Sequence, residues 1–254
     1  MPGYSYQLYS SRNFPPLADT LRMVASAGYS QVEGFGGLFA DDTMTATLVT
    51  ALGETGLTMP TAHFGFDMVQ GSPSRAIDIA RQVGIETIFV PVTDNRVRDA
   101  AGWLAFGRAL AEAGKPFMDA GLRFGWHNHA FEFADLGSEE KPLDLILEGS
   151  EALCLELDIA WVQVAGEDPL DWISRYAGRI VAAHIKDIAP EGQNADEDGW
   201  ADVGHGVLDW TAIAQALGET DVRHLIMEHD NPSNERRFAE RSIAAAQSIW
   251  GPAQ

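Results

Sequence analysis

Eight short segments rich in β-branched and aromatic residues recur along the chain, each followed by a longer stretch whose apolar residues are spaced three and four apart. The strand candidates are Tyr4–Tyr9, Gln31–Phe35, Met59–Phe64, Thr87–Val92, Arg123–His129, Leu153–Ala160, Ile180–Asp187 and His224–Asp230. The helix candidates are Leu17–Ala27, Thr43–Thr55, Ser74–Val83, Val97–Ala120, Pro142–Leu147, Pro169–Tyr176, Trp210–Leu217 and Asn234–Trp250. Start and stop signals agree with this division. Pro15-Pro16 precedes the first helix and Asp41-Asp42 offers a cap to the second, while Gly28, Gly56, Gly84, Gly121, Gly178 and Gly218 stand just past helix ends. Eight β–α units in 254 residues predict a single (β/α)8 barrel, one domain over residues 1–254. The rival, a doubly wound sheet, usually carries a glycine-rich phosphate loop after its first strand. Here that place holds Ser-Ser-Arg-Asn-Phe-Pro-Pro, and Gly-Phe-Gly-Gly-Leu-Phe from Gly34 does not match GxGxxG.

Charge narrows the partners. Acidic residues number 37 against 17 basic ones, a net charge of −20. Phosphate backbones and anionic membrane surfaces both demand a cationic face, so neither nucleic acid nor membrane is expected as a partner. A small molecule is expected instead, and self-association into a homo-oligomer is compatible with the sequence. The single cysteine, Cys154, lies in an apolar run and reads as a buried small hydrophobe, and it excludes a disulfide framework. There is no 18-residue apolar run, and the N-terminus lacks the charged start and apolar stretch of a signal peptide, so a cytoplasmic location is expected.

In a barrel of this kind chemistry sits at the C-terminal ends of the strands, and inward-facing residues alternate along each strand. Those ends carry Gln7 and Tyr9, Glu33, His63, His127 and His129, Asp158, His184 and Lys186, and Glu228 and Asp230. Only the fourth strand, with Pro91 and Thr93, lacks an ionisable group. Any one such histidine is more often a hydrogen-bonded core residue, but polar groups converging from seven strands are costly unless paired or bound to a cation. A mixed set of nitrogen and oxygen donors suits Mn2+, Zn2+, Co2+ or Fe2+ better than Ca2+. Glu156 is inward by parity but deeper, and reads as structural. The acidic stretch Pro190–Gly206 follows the seventh strand and reads as a solvated loop overhanging the active face.

The segments Trp126–Phe133 (WHNHAFEF), Leu157–Trp161 (LDIAW), Ala183–Asp187 (AHIKD) and Ile226–Pro232 (IMEHDNP) resemble the strand-end motifs of the xylose isomerase-like TIM barrels, in particular the sugar phosphate isomerase/epimerase branch. VEGFG at the second strand, AHFGF at the third and VGHGVLDW before the last helices fit the same pattern, so the resemblance covers the whole chain. It implies one divalent cation, Mn2+ in the first instance with Mg2+, Co2+ or Zn2+ as alternatives, and a carbohydrate substrate. Asp158, His184 and Glu228 match three of the family's four metal ligands. Where the keto-sugar epimerases carry the first glutamate this chain has His127, in the His-Asn-His form of the inosose dehydratase-like branch, and His127 is taken as the fourth ligand. The roles implied are a metal-polarised carbonyl and Glu228 as the base that removes the neighbouring proton. Glu132, His129 and Lys186 are the candidates for the second acid/base or oxyanion group. Gln7, Glu33 and His63 would orient hydroxyls, Trp161 would stack on a sugar face, and His205 would reach the site from its loop. His224 and His229 read as structural or surface residues. The expected activity is isomerisation or epimerisation of a keto sugar or related polyol. The alternative is a lyase or hydratase acting on a 3-keto sugar, a keto-inositol or a derived glycoside, which gains weight from the missing glutamate at position 127. An endonuclease IV-like hydrolase and a non-catalytic sugar-binding subunit are the remaining alternatives, the first opposed by the charge.

Overall fold

The computed structural model describes residues 2–252. Eight parallel strands close into a barrel: β1 (Gly3–Gln7), β2 (Gln31–Gly34), β3 (Thr58–His63), β4 (Thr87–Val90), β5 (Arg123–His127), β6 (Cys154–Asp158), β7 (Ile180–Ile185) and, last in the chain, β10 (His224–Met227). Neighbours around the barrel follow chain order, and β10 closes it against β1 with Tyr4 opposite Leu225 and Tyr6 opposite Met227. The predicted (β/α)8 barrel is therefore the observed fold.

Helices form the outer ring: α1 (Leu17–Ala27), α2 (Asp42–Thr55), α3 (Phe66–Gly71), α4 (Pro73–Val83), α5 (Ala100–Asp119), α6 (Pro142–Glu148), α7 (Ile159–Val164), α8 (Pro169–Arg175), α9 (Trp210–Leu217) and α10 (Glu235–Trp250). Their ends follow the chemistry of the sequence. Asp41, Asp99, Asp168, Asp209 and Asn234 each accept a bond from a first-turn amide that has no partner inside the helix. Gly28, Gly56 and Gly84 close their helices in the left-handed region, where only glycine is free of a Cβ clash. Gly218 remains right-handed, so that stop does not use its glycine.

Two expectations change. The strands end earlier than the apolar runs suggest, so His129, Lys186, Glu228 and Asp230 stand on the loops just past them. β6 stops at Asp158 because its carboxylate accepts from the Trp161 amide and starts α7, which turns the expected strand end Ile159-Ala160 into helix. The stretch expected as a solvated loop is partly folded. Trp200–Ala201 within it form a strand, β9, that pairs antiparallel with β8 (Asp187–Ile188) just before it. Asp187 is buried and organises it, accepting from the amides of Ile188, Gly204, Gly206 and Leu208 and from the Trp210 indole at 2.8–3.3 Å. Among the described residues no helix is long and apolar enough to cross a membrane.

Candidate metal centre at the barrel mouth

A cavity of about 510 Å3 opens at the C-terminal end of the barrel. Tyr9 and Phe35 form one wall, edge to face at 5.4 Å, with Trp161, Pro91 and Val92 also at its surface. Its polar residues are His63, His127, His129, Glu228, Asp230 and Arg96. Apolar walls with a few convergent polar groups are what a small-molecule site requires. A second cavity of about 510 Å3 lies under the β8–β9 hairpin and shares Trp161 and Asp230 with the first.

Below the mouth, donor atoms of Asp158, His184 and Glu228 lie within 4.8 Å of one another, all buried. Strand register explains the meeting of the first two: Asp158 on β6 is directly opposite His184 on β7. His184 turns Nδ1 toward Glu228 Oε2 at 2.9 Å and Asp158 Oδ2 at 3.8 Å, and Nε2 toward Glu33 Oε1 at 2.7 Å. Asp158 Oδ1 is used by the Trp161 amide, whereas Oδ2 is buried and has no hydrogen-bond partner. An orphaned carboxylate oxygen costs about 1–3 kcal/mol or more. Its place beside a histidine nitrogen and a second carboxylate fits a divalent cation.

His127 is not part of this trio. With His63, Glu156 and His184 it forms a second buried group whose donor atoms also lie within 4.8 Å of one another. His127 is expected from the sequence to complete the set of Asp158, His184 and Glu228, and its donor atom instead groups with those of His63, Glu156 and His184. The reason is register: His127 is opposite Glu156, one inward position deeper than Asp158. Glu156, read from sequence as structural, is the centre of that second group. Its parity was visible in the chain, but its company was not.

The charges are mutually held. Burial opposes the charge on His184, but Glu156 and Glu228 raise its pKa well above the usual histidine value. Burial likewise opposes ionisation of Glu228, yet Lys186 and His184 bring it well below the usual carboxylate range. Burial pushes Asp158 up to about 7, and burial with the neighbouring Glu156 pushes Glu33 to about 7. Lys186 is completely buried. Its ammonium pairs with Asp230, lies 3.4 Å from Glu228 and 4.0 Å from Asp158, and faces the Trp200 and Trp161 rings at 4.2 and 5.0 Å. It therefore reaches the site through the carboxylates rather than from the cavity wall. Burial and the Lys186 charge lower His129 to about 3, so its imidazole is neutral at pH 7.

Other expected site residues fall elsewhere. Glu132 does not border the cavity. One oxygen accepts from the Trp126 indole and the other from the His129 amide, both at 2.9 Å, so it fixes the loop that carries His129. Gln7 does not reach the cavity either: it donates to Glu33 at 2.8 Å, and Glu33 in turn serves His184. Both orient the network below the cavity instead of a substrate hydroxyl. His205 is exposed and accepts from Arg241 of α10, away from the mouth. Tyr9, Phe35 and Arg96 line the cavity without having been assigned a role from sequence. The aromatic pair follows strand ends one and two, and Arg96 lies in a loop with no periodic signal.

Comparison with known proteins agrees with this fold. The profile of the family described as xylose isomerase-like TIM barrel matches residues 21–249. The rhizopine catabolism protein MocC of Rhizobium meliloti is 25% identical over 146 residues, covering 52% of this chain and 44% of that protein. The match thus spans less than half the length of that curated relative. A sugar phosphate isomerase/epimerase from Parabacteroides distasonis superposes with a TM-score of 0.79 at 20% identity, over 98% of this chain and 96% of that one. The probable 3-DHS dehydratase AsbF from Bacillus anthracis gives 0.75 at 14% identity, over 97% and 99%. The IolI protein with a binding zinc atom gives 0.71 at 14% identity, over 97% of each chain. At such identities the structural likeness is one of fold, and the family assignment rests on the profile. By closed eight-stranded topology and by a match over most of its length, the chain belongs to the xylose isomerase-like TIM barrel family.

Proposed function

We propose that this protein is a divalent-metal-dependent isomerase or epimerase acting on a keto sugar or related polyol. The observation that carries the reading is the buried, unpartnered Asp158 Oδ2 beside His184 Nδ1 and Glu228 at the base of an aromatic-walled cavity. Asp158, His184 and Glu228 would hold the cation. Bound there, it supplies Lewis acidity toward a carbonyl and an adjacent hydroxyl, which acidifies the carbon between them.

The chain's own groups do the rest. Glu228, kept ionised by Lys186, borders the cavity and removes the proton from that carbon. Lys186 balances the negative charge that builds up around Glu228 and Asp230. His129 also borders the cavity, where its neutral imidazole hydrogen-bonds a substrate hydroxyl, and the proton taken up by Glu228 is returned to the substrate by Glu228 itself. Trp161, Tyr9 and Phe35 give the apolar faces that a sugar ring packs against. Arg96 is the one cation bordering the cavity among the described residues, which suits an unphosphorylated substrate better than a phosphate ester.

One observation favours the second reading, a lyase. The carboxylates that border the cavity, Glu228 and Asp230, both leave the same strand, and position 127 presents an imidazole where a facing carboxylate would stand. Two-sided carboxylate exchange is therefore lost, while abstraction by Glu228, with the same proton then delivered by Glu228 to a leaving hydroxyl that departs as water, remains.

Incubation of metal-loaded protein in D2O with D-fructose, 3-ketoglucose and a keto-inositol tests both. Deuterium entering at the carbon beside the carbonyl is expected, followed by NMR. An ultraviolet-absorbing conjugated product alongside it selects the lyase. Absence of exchange with every compound would reject the proposed chemistry.

A further inference from the structure

Beneath the mouth trio lies a group that the proposed chemistry does not use. Three ring nitrogens, His63 Nε2, His127 Nδ1 and His184 Nε2, converge on one oxygen, Glu156 Oε2, at 2.5, 3.0 and 3.2 Å. All four residues are buried. A carboxylate oxygen accepts about two hydrogen bonds, and three nitrogens crowd this one. His63 bonds to it, and His184 Nε2 bonds to Glu33 instead. His127 Nδ1 has no hydrogen-bond partner, and neither do Glu156 Oε1 and Glu33 Oε2 at the same place. Three buried polar atoms without a protein partner in one cluster are far from the norm for a folded interior.

We propose that His63, His127 and Glu156 form a second divalent-cation site, one layer deeper than Asp158, His184 and Glu228 and separate from them. The spacing suits it. Ligand bonds of about 2.0–2.2 Å at tetrahedral angles separate donor atoms by about 3.3–3.6 Å, so the shortest contact, His63 to Glu156 at 2.5 Å, needs to open by about 1 Å. The donor types suit it too: two imidazoles and a carboxylate select Zn2+, Fe2+ or Co2+ over Mg2+ or Ca2+. His184 then links the two sites without serving both as a ligand. Its Nδ1 faces the upper trio, and its Nε2 donates to Glu33, whose free oxygen borders the deeper site. Metal-binding histidines commonly have their second nitrogen held by a carboxylate in this way. Charge balance points the same way. Glu33, Glu156, Asp158 and Glu228 are four buried carboxylates; among the described residues Lys186 is the lysine or arginine ion-paired with them, through Asp158 and Glu228, while the deeper pair faces the imidazoles of His63 and His184. An entry path exists, because His63 and His127 both border the mouth cavity.

The test is metal stoichiometry. Protein stripped with chelator and dialysed against Zn2+ is expected to hold two equivalents by elemental analysis. Glu156→Gln and His63→Ala are each expected to hold one. Asp158→Asn is expected to hold one as well, and Asp158→Asn combined with Glu156→Gln none. Two equivalents retained in Glu156→Gln would overturn the proposal. The wild-type chain supplies a measurement independent of whether a variant folds: anomalous scattering from zinc-loaded crystals is expected to show two peaks, one within bonding distance of His63, His127 and Glu156. No peak within bonding distance of His63, His127 and Glu156 overturns the deeper site, whereas a peak there with none at Asp158, His184 and Glu228 counts against the upper one. The sugar chemistry is read by turnover and deuterium exchange and the second site by counting ions, so failure of one is distinguishable from failure of the other.

Discussion

Glu228 is asked to stay charged in a buried setting, and the neighbours that make this hold are Lys186 and His184. Replacing it by an isosteric amide removes the base while leaving Asp158 and His184 in place. Glu228→Gln is therefore expected to lower kcat by about 10²–10⁴-fold even with the cation supplied in excess, and to weaken cation binding because a ligand is lost, checked by turnover at saturating metal and by elemental analysis on the same sample. Several of these residue-level features were legible in the chain. Asp158, His184, Glu228 and His129 stand at strand ends with the parity that points them inward. Glu132 misled for a physical reason: a glutamate near a strand end reads as reactive until its two oxygens are seen to be taken by the Trp126 indole and the His129 amide. Burial pushes its pKa up to about 8, so a perturbed carboxyl here marks a loop anchor.

Helices pack here by close backbone approach as well as by side chains. At the α5–α6 contact a Cβ on Gly107 would come within 2.5 Å of the Ile146 carbonyl oxygen, and one on Gly149 would overlap the Gly107 backbone. Gly149 has ordinary helical dihedrals, so the constraint is steric and not conformational. Gly149→Ala is expected to destabilise the fold by about 1–3 kcal/mol in urea unfolding. At the other side of the barrel, Glu197 ties the loop between β8 and β9 to α10. It takes two bonds of 2.9 Å from Arg237 and one of 2.7 Å from the Ser233 amide. Burial opposes its charge, but those donors hold its pKa at about 2. A depressed carboxylate stabilises the fold above its unfolded value of about 4.3 and loses that contribution as pH falls toward 2. Glu197→Gln is thus expected to cost about 2 kcal/mol at pH 7 and to flatten the loss of stability between pH 4.3 and 2, measured by urea unfolding across that range. Neither feature could be read locally. Gly107 and Gly149 look like weak points in helices until the two helices are brought together, and Glu197 lies 40 residues from Arg237.

For the whole molecule, a cation bound only by the folded barrel stabilises it by mass action. At 100 times the dissociation constant the gain is about 2.7 kcal/mol. For a chain of this size that corresponds to a rise in Tm of about 5–10 °C, so chelation is expected to lower Tm by that amount and Zn2+ or Mn2+ to restore it in a thermal scan. No Tm difference between stripped and reloaded protein would argue against a tightly held ion. The sequence by itself determined the barrel, through eight alternations of two hydrophobic periods, and determined which residues point inward, through the two-residue repeat of a strand. Only the tertiary structure decided which inward residues meet. Barrel closure staggers the strands into layers, and β6 slips by one position against β7 between Leu155 and Glu156. That slip brings Asp158 level with His184, while the separate pairing of β5 with β6 puts Glu156 beside His127. Donor atoms contributed by strands up to 195 residues apart, from Glu33 to Glu228, are then placed within bonding reach by hydrogen-bond register, a property of pairs of strands that no single segment encodes.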